Sequence, residues 1–368
     1  MNDTYLTNDV DVTDDIMEKY VVYLLEGFTL QKRQIQADTI YGYMRCVNDH
    51  YRKKRYLPPF AKKSDTTAAR LLIAQAKVED APDKREPLHD KVIVRMYELS
   101  LDESCRFGAR KAIWNWTSLG RFGGYRRQEF AMDKSDEIQY YVKPNGELIV
   151  RAFTLSNFIF YDDDGMPVDR QACLNHRPLA QQLGQEYDIQ KNRMNGQIIT
   201  VHREPAFPPF CPVELGLDIV EMAMALGAKE PDDPLCLYRT SKGDIKFITG
   251  DMITRYYRFV TKMVFPHISD EMLKLISTHS LRVKAAVLLH EAGKDGTYIK
   301  LRIRWLSDCF EVYLRNTPTI CAQHNTALHG VNQQMMAAIA VSQANLPRYA
   351  VQNAVAVDES MIDIEDDD

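Results

Sequence analysis

The chain has 368 residues, 45% of them hydrophobic and 26% charged, the composition of a globular protein with room for two domains. No stretch approaches eighteen consecutive apolar residues, which excludes a transmembrane helix. The net charge of −5 hides a split: the closing segment VDESMIDIEDDD holds seven acidic residues and no basic one, and without it the balance becomes +2.

From the N-terminus, MNDTYLTNDVDVTDD lacks the basic-then-apolar pattern of a secretory signal. Residues 13 to 80 then read as helices. VTDDIMEKYVVYLLEG sets Ile16, Tyr20, Tyr23 and Leu24 on one stripe, with Thr13 or Asp14 as N-cap and Gly27 as stop. ADTIYGYMRCVNDHYRKKR groups Ile40, Tyr43, Met44, Val47 and Tyr51 on a second helix, and DTTAARLLIAQAKVE supplies a third. Nine basic residues lie between Gln31 and Lys63 against Asp38 and Asp49: Lys32, Arg33, Arg45, Arg52, Lys53, Lys54, Arg55, Lys62 and Lys63. Clustered cations of this kind suit a phosphate backbone, although a solvated helix face carries the same pattern. The charged linker EDAPDKREP puts a domain boundary near residue 85.

Beyond it, LHDKVIVRMYELSL and ESCRFGARKAIWNWTSLGRFGG read as helices, and YRRQEFAM starts a short one. From Tyr140 to Glu204 the pattern turns to strands. YYVKPNGELIVRAF and EYDIQKNRMNGQIITVHRE each carry an Asn-Gly pair, at Asn145-Gly146 and Asn195-Gly196, the mark of a hairpin turn. FIFYDDDGMPV adds a strand ending in an Asp-rich turn, which lacks the later ligands of a calcium loop. From CPVELGLDIVEMAMALG onward the pattern is helical. The expected fold is mainly α with a small antiparallel β-sheet, divided as residues 1–85, 86–320 and 321–368.

Seven cysteines, at 46, 105, 173, 211, 236, 309 and 321, form no CxxC pair, so a reducing interior is expected rather than a disulfide framework or zinc ribbon. His324 and His329 are spaced wrongly for a one-face helical pair, and GxSxG, P-loop and dinucleotide motifs are absent. No metal and no cofactor are expected.

One set of residues stands out. In HSLRVKAAVLLHEAG, capped by Ser277 or Thr278 and stopped by Gly293, His279 and Arg282 share a face at a helix start, a favourable place for a phosphate. GGYRRQEF offers Arg126 with Glu129 three residues later, the second hairpin carries Lys191, and RWLSDCFEVYLRN carries Trp305 and Tyr313. In this order the chain resembles the tyrosine recombinases, the phage-integrase-like enzymes, whose pattern is Arg, a hairpin Lys, His-x-x-Arg, His or Trp, then Tyr. GYRRQE looks like the family's G-x-R-x-x-E box. RWLSDCFEVYLRN is similar to the Trp-containing variant of crypton-like eukaryotic mobile elements. Many relatives read Leu-Gly-His where this chain has Ile303-Arg304-Trp305, and place the Tyr nine residues after the His rather than eight after Trp305. Lys143, Arg193 and Lys242 remain basic alternatives to Lys191.

The resemblance implies a helical SAM-like core-binding domain at residues 1–85 that clamps DNA, a catalytic domain at 86–320, and a C-terminal helix with a disordered acidic tail at 321–368. It implies a site-specific recombinase acting on double-stranded DNA without metal or ATP. The enzyme would work as a homotetramer on DNA, be a monomer or weak oligomer when free, and have no membrane partner. Its expected place is intracellular, in the nucleus of a eukaryote or otherwise in the cytoplasm or nucleoid. Arg126 and Arg282 would bind the non-bridging oxygens of the scissile phosphate, since a planar guanidinium donates two bonds and stays charged. Trp305 would hold a further oxygen through its indole N–H. Tyr313 would attack, His279 take its proton, Lys191 protonate the leaving 5′-oxygen and Glu129 orient Arg126 or His279. A catalytically inactive DNA-binding protein and a topoisomerase IB-like nicking and resealing enzyme are the alternatives.

Overall fold

A computed structural model of the chain describes residues 14–26, 35–54, 66–78, 85–102, 106–143, 145–190, 195–307, 310–314, 320–323, 326 and 335–337. It is mainly α with small antiparallel sheets, and it divides into two compact units, Met1–Asp83 and Lys84–Asp368.

The first unit holds three helices, α1 (Asp14–Leu25), α2 (Ala37–Lys53) and α3 (Thr67–Val78). Its core is Met17, Val21 and Leu24 against Ala37, Ile40, Met44, Ala68, Ala69 and Leu72. The spacing i, i+4, i+7 on α1 and i, i+3, i+7 on α2 is what one buried helix face requires. The stripe expected on α1 is therefore turned by about one residue: Ile16, Tyr20 and Tyr23 are exposed, as is Tyr43 on α2. Met and Val carry no polar atom and take the interior, while the phenols keep their hydroxyl ends in water. Of the expected basic surface, Arg45, Arg52, Lys53 and Lys54 are described and exposed. Arg52 pairs with Asp49 at 3.3 Å, and Arg52 and Lys53 sit in the last turn of α2, where cations oppose the negative end of the helix dipole. Lys32, Arg33, Arg55, Lys62 and Lys63 lie outside the described residues, as do Thr13 and Gly27.

The second unit opens with α4 (Asp90–Ser100) and α5 (Ala109–Gly123), followed by the single turn α6 (Arg127–Phe130). Helix α5 runs through the centre, with Ala112 to Gly120 all buried. Two hairpin arms, β1 (Tyr140–Val142) and β2 (Leu148–Val150), precede β3 (Phe158–Tyr161) and β4 (Pro167–Val168). After α7 (Arg170–Asn175) come β5 (Gln182–Tyr187) and β6 (Gln197–His202), which complete an antiparallel sheet of order β4-β3-β5-β6. The helices α8 (Pro212–Ala225), α9 (Gly250–Val264), α10 (Asp270–Lys274), α11 (His279–Glu291), α12 (Gly296–Ile303) and α13 (Glu311–Leu314) follow. A separate two-stranded hairpin, β7 (Leu237–Arg239) and β8 (Ile245–Phe247), lies between α8 and α9, in a stretch expected to be helical throughout. Its Gly243, at φ 95°, makes the turn that lets two three-residue strands pair.

Gly146, at φ 85°, lies in the β1–β2 turn as expected. Gly196, at φ 72°, stands directly before β6, and since Tyr187 pairs with Gln197 the β5–β6 connection is nine residues long and not a turn made by the Asn-Gly pair alone. The core beneath the functional residues is aromatic: Trp116 stacks on Phe153 at 6.0 Å, and Tyr125, Phe130, Phe158 and Tyr187 surround the pair. Helix α11 approaches α5 closely at Gly120, where a Cβ would stand 2.6 Å from Leu281 Cδ2. Most of residues 321–368 lie outside the described residues. Among the described residues no helix is long and apolar enough to cross a membrane, and no three His, Cys, Asp or Glu form a metal-binding group.

Candidate functional site

The chain leaves α5 at Gly124, whose φ of 54° turns it sharply into Tyr125 and Arg126. Arg126 is the N-cap of α6, and Glu129 reaches back to it. The backbone N–H of Arg126 donates to Glu129 Oε2 at 2.8 Å, and its guanidinium donates to Glu129 Oε1 at 3.1 Å. A carboxylate at the third helical position satisfies an orphan N–H and at the same time fixes the neighbouring cation.

Arg282 comes from the first turns of α11 and is only 2% exposed. Its guanidinium donates to the carbonyls of Gly124 and Ile303 and, at 3.2 Å, to that of Arg304. Arg126 donates to the same Arg304 carbonyl at 2.9 Å, so one oxygen bridges two guanidiniums. Burial, followed by the nearby Arg126, pushes the Arg282 pKa down to about 9, which still leaves it charged at pH 7.

That carbonyl is available because α12 ends at Arg304 in the left-handed conformation, φ 56°, with the N–H of Trp305 donating to Lys300 O at 3.0 Å. The Arg304 side chain turns inward. It donates to Glu129 Oε2 at 2.7 Å and to Gly123 O at 3.1 Å, and lies 3.5 Å from the centre of the Tyr187 ring.

Trp305 brings the remaining groups together. Its ring lies 4.8 Å from the Arg282 guanidinium, stacks on Phe310 at 5.6 Å and on Tyr313 at 6.4 Å, and meets His279 edge-on at 6.5 Å. His279 and Tyr313 are themselves 6.1 Å apart between ring centres. Between Trp305 and Tyr313 the chain bends at Leu306 and Ser307, and Phe310 leads into the short helix α13; residues 308 and 309 lie outside the described residues. Burial first, then the positive fields of Arg282 and Arg85, hold the His279 pKa below its usual 6.5, so the imidazole is neutral at pH 7. Thr278 holds the N-cap position without a side-chain bond, while the hydroxyl of Ser277 before it accepts from the His279 N–H at 3.2 Å.

Arg126, His279, Arg282, Arg304 and Trp305 line one cleft of 460 Å³, with Tyr125, Arg127, Thr278, Leu306 and Ser307. Arg127 faces elsewhere for its charge, pairing with Asp133 at 3.1 Å. Three guanidiniums against the single Glu129 carboxylate give the cleft wall a positive field suited to a phosphate.

Lys191 and Arg193 lie outside the described residues. The strand that leads to Lys191 is described, and its last residue, Tyr187, carries the Arg304 guanidinium on its ring. Of the alternatives, Lys143 is paired with Glu147 at 2.7 Å on the β1–β2 hairpin, and Lys242 is exposed in the β7–β8 turn. Arg304 went unnoticed in the sequence as a site residue. The signal available was its position, since it stands where the resembled pattern has glycine and is itself followed by Trp305.

No family model and no curated protein matches the chain. Its fold is similar to several solved structures. XerA recombinase is 14% identical, over 88% of this chain and 87% of that one, with a TM-score of 0.36. The Tn1549 transposon integrase in complex with transposon right-end DNA is 10% identical, over 87% and 86%, with a TM-score of 0.45. A lambda integrase dimer bound to a core site is 13% identical, over 83% and 81%, with a TM-score of 0.39. Scores below 0.5 leave the chemistry of the cleft to be read from its own geometry.

Proposed function

We propose that the chain is a tyrosine recombinase, of the Trp-containing kind, which cuts and rejoins DNA through a 3′-phosphotyrosine. The observation that carries this reading is that two guanidiniums tied to one carbonyl, an imidazole and an indole line one cleft, with the Tyr313 ring 6.1 Å from that imidazole and 6.4 Å from that indole. These groups come from four separate places in the chain, and no packing requirement alone demands a buried, charged Arg282 beside a second cation.

In this reading a backbone phosphate sits in the cleft with its non-bridging oxygens on Arg126 and Arg282. Tyr313 Oη attacks phosphorus and the bond to the 5′-oxygen breaks. The phenolic proton passes to His279, which is neutral at pH 7 and so free to accept it. Negative charge grows on the phosphoryl oxygens as the fifth bond forms, and preorganised guanidiniums meet it without a metal. Trp305 packs the nucleophile's ring and offers its indole N–H to an oxygen. Lys191 supplies a proton to the departing 5′-oxygen. Because the phosphotyrosine ester conserves the bond energy, a different 5′-hydroxyl reverses the step and exchanges strands without ATP.

Arg45, Arg52, Lys53 and Lys54 of the first unit are assigned to the phosphate backbone, and recombination on paired duplexes to a homotetramer. The test is a pool of nicked suicide duplexes of randomised sequence, in which the released 5′ fragment diffuses away. Wild-type protein should become covalently attached to DNA, and Tyr313→Phe should bind the same duplexes without attachment. Attachment that survives Tyr313→Phe would remove the nucleophile assignment. Binding without any attachment by wild type would make the chain a DNA-binding protein that has lost catalysis. Plasmid relaxation with no joined products from paired sites would make it a topoisomerase.

A further inference from the structure

Arg304 has no part in the chemistry assigned above, yet it is the most constrained residue of the cleft. Among the described residues it is the only non-glycine with positive φ, a conformation that crowds the Cβ of an L-residue against the following carbonyl. Its side chain is 0% exposed. A buried cation on a disfavoured backbone persists only where its surroundings over-determine it.

Those surroundings do two things. The left-handed turn frees the Arg304 carbonyl from the α12 ladder, and that oxygen accepts from Arg126 at 2.9 Å and from Arg282 at 3.2 Å. The side chain meanwhile holds Glu129 Oε2 at 2.7 Å, the carboxylate whose other oxygen holds the Arg126 guanidinium at 3.1 Å. Backbone and side chain of one residue thus reach Arg126 by two independent routes. The ring of Tyr187 beneath the guanidinium keeps it from swinging out into the cleft.

We propose that Arg304 is a positioning residue: its carbonyl sets the separation of Arg126 and Arg282, and its side chain, through Glu129, fixes the direction in which Arg126 presents its donors to phosphate. This rests on the recombinase reading. It predicts a separation of binding from rate, because the Arg304 side chain is 0% exposed and so has no surface to offer a phosphate in the cleft.

Arg304→Gly isolates the side chain, since glycine takes the same φ without strain and keeps the carbonyl. Wild type and Arg304→Gly are compared in single-turnover attachment to the suicide duplexes, in duplex binding at fixed salt, and in the signals of isotope-labelled arginine side chains. The expected result is a rate lower by about 100-fold with binding unchanged, as a small misplacement of a reacting group costs. The Arg126 side-chain signals should broaden, and added methylguanidinium, which fits the space vacated, should restore part of the rate. If the glycine variant does not fold, Arg304→Lys replaces it. That variant keeps a charge for Glu129, loses the two-bond fork and the planar stack, and should be slower in the same direction.

Wild-type rate in the folded variant, or unchanged Arg126 signals, overturns the proposal. So does a loss of rate that runs parallel to a loss of binding and of melting temperature, with no rescue by methylguanidinium, because that is the behaviour of an ordinary buried residue. Failure of wild type to attach to DNA overturns the recombinase reading instead, and the Arg126 signals alone then decide whether Arg304 positions it.

Discussion

Replacing Glu129 by Gln tests how the cleft keeps its positive charges side by side. The Glu129 side chain is 9% exposed and accepts three hydrogen bonds, from the Arg126 N–H, the Arg126 guanidinium and Arg304. Arg304 is fully buried, whereas the Arg126 side chain is 26% exposed and recovers some solvation. Glutamine keeps the shape and one acceptor oxygen but turns an amide N–H₂ toward a cation. Breaking a buried pair from one side costs about 3–5 kcal/mol, and the partial exposure of Arg126 sets the expectation at the lower end, about 3 kcal/mol. For a unit of this size the melting temperature then falls by roughly 6–12 °C. Urea denaturation and thermal melting followed by far-ultraviolet circular dichroism measure it. Adding Arg304→Met should recover part of the loss, because the double variant no longer leaves a buried cation unpaired. A change under about 1 kcal/mol for Glu129→Gln, the size of an exposed pair, would refute the view that Glu129 is the counter-charge of the cleft.

Further consequences concern pH, backbone and salt. His279 has a depressed folded pKa, so the attachment rate should rise with pH through a value below 6.5 and then level off. Stability takes the same sign: below 6.5 the unfolded chain binds the proton more readily, so the contribution of His279 is full above that value and lost as pH falls further. Melting at about pH 5 and about pH 8 should therefore differ less in His279→Gln than in wild type. Gly124→Ala meets both a φ of 54° and Ile303 Cγ2 at 2.7 Å, and should cost about 2–4 kcal/mol. Gly146→Ala, at φ 85° with open space around it, should cost only about 1 kcal/mol in the same denaturation assay. Changing Arg45, Arg52 and Lys53 to Ala should flatten the slope of log binding constant against log salt by about 0.9 for each phosphate left without its cation. An unchanged slope would take α2 out of the interface.

Much of the cleft was legible because its groups sit at places that sequence marks. Arg126 comes just after a Gly-Gly helix stop, His279 and Arg282 lie in the first turn of a helix whose residues from Ser280 to Val287 are all buried, and Trp305 and Tyr313 precede a proline. Arg304 was not legible, because nothing in an arginine announces a left-handed backbone, and its partners Gly123, Glu129 and Tyr187 all lie more than a hundred residues earlier in the chain. The β7–β8 hairpin escaped because each strand is three residues long, too short for alternation to register. On α1 the periodicity was visible but its phase was not: tyrosines count as apolar in a pattern, while their hydroxyls favour the water side of the helix.

The most direct test of the central claim is to find the covalent bond itself. Protein trapped on a suicide duplex is digested with nuclease and protease, and the peptide carrying residual nucleotide is identified by mass spectrometry. The account predicts a 3′-phosphonucleotide on Tyr313, in the peptide that begins at Trp305. Nucleotide on any other residue, or joined to Tyr313 through a 5′-phosphate, would contradict it.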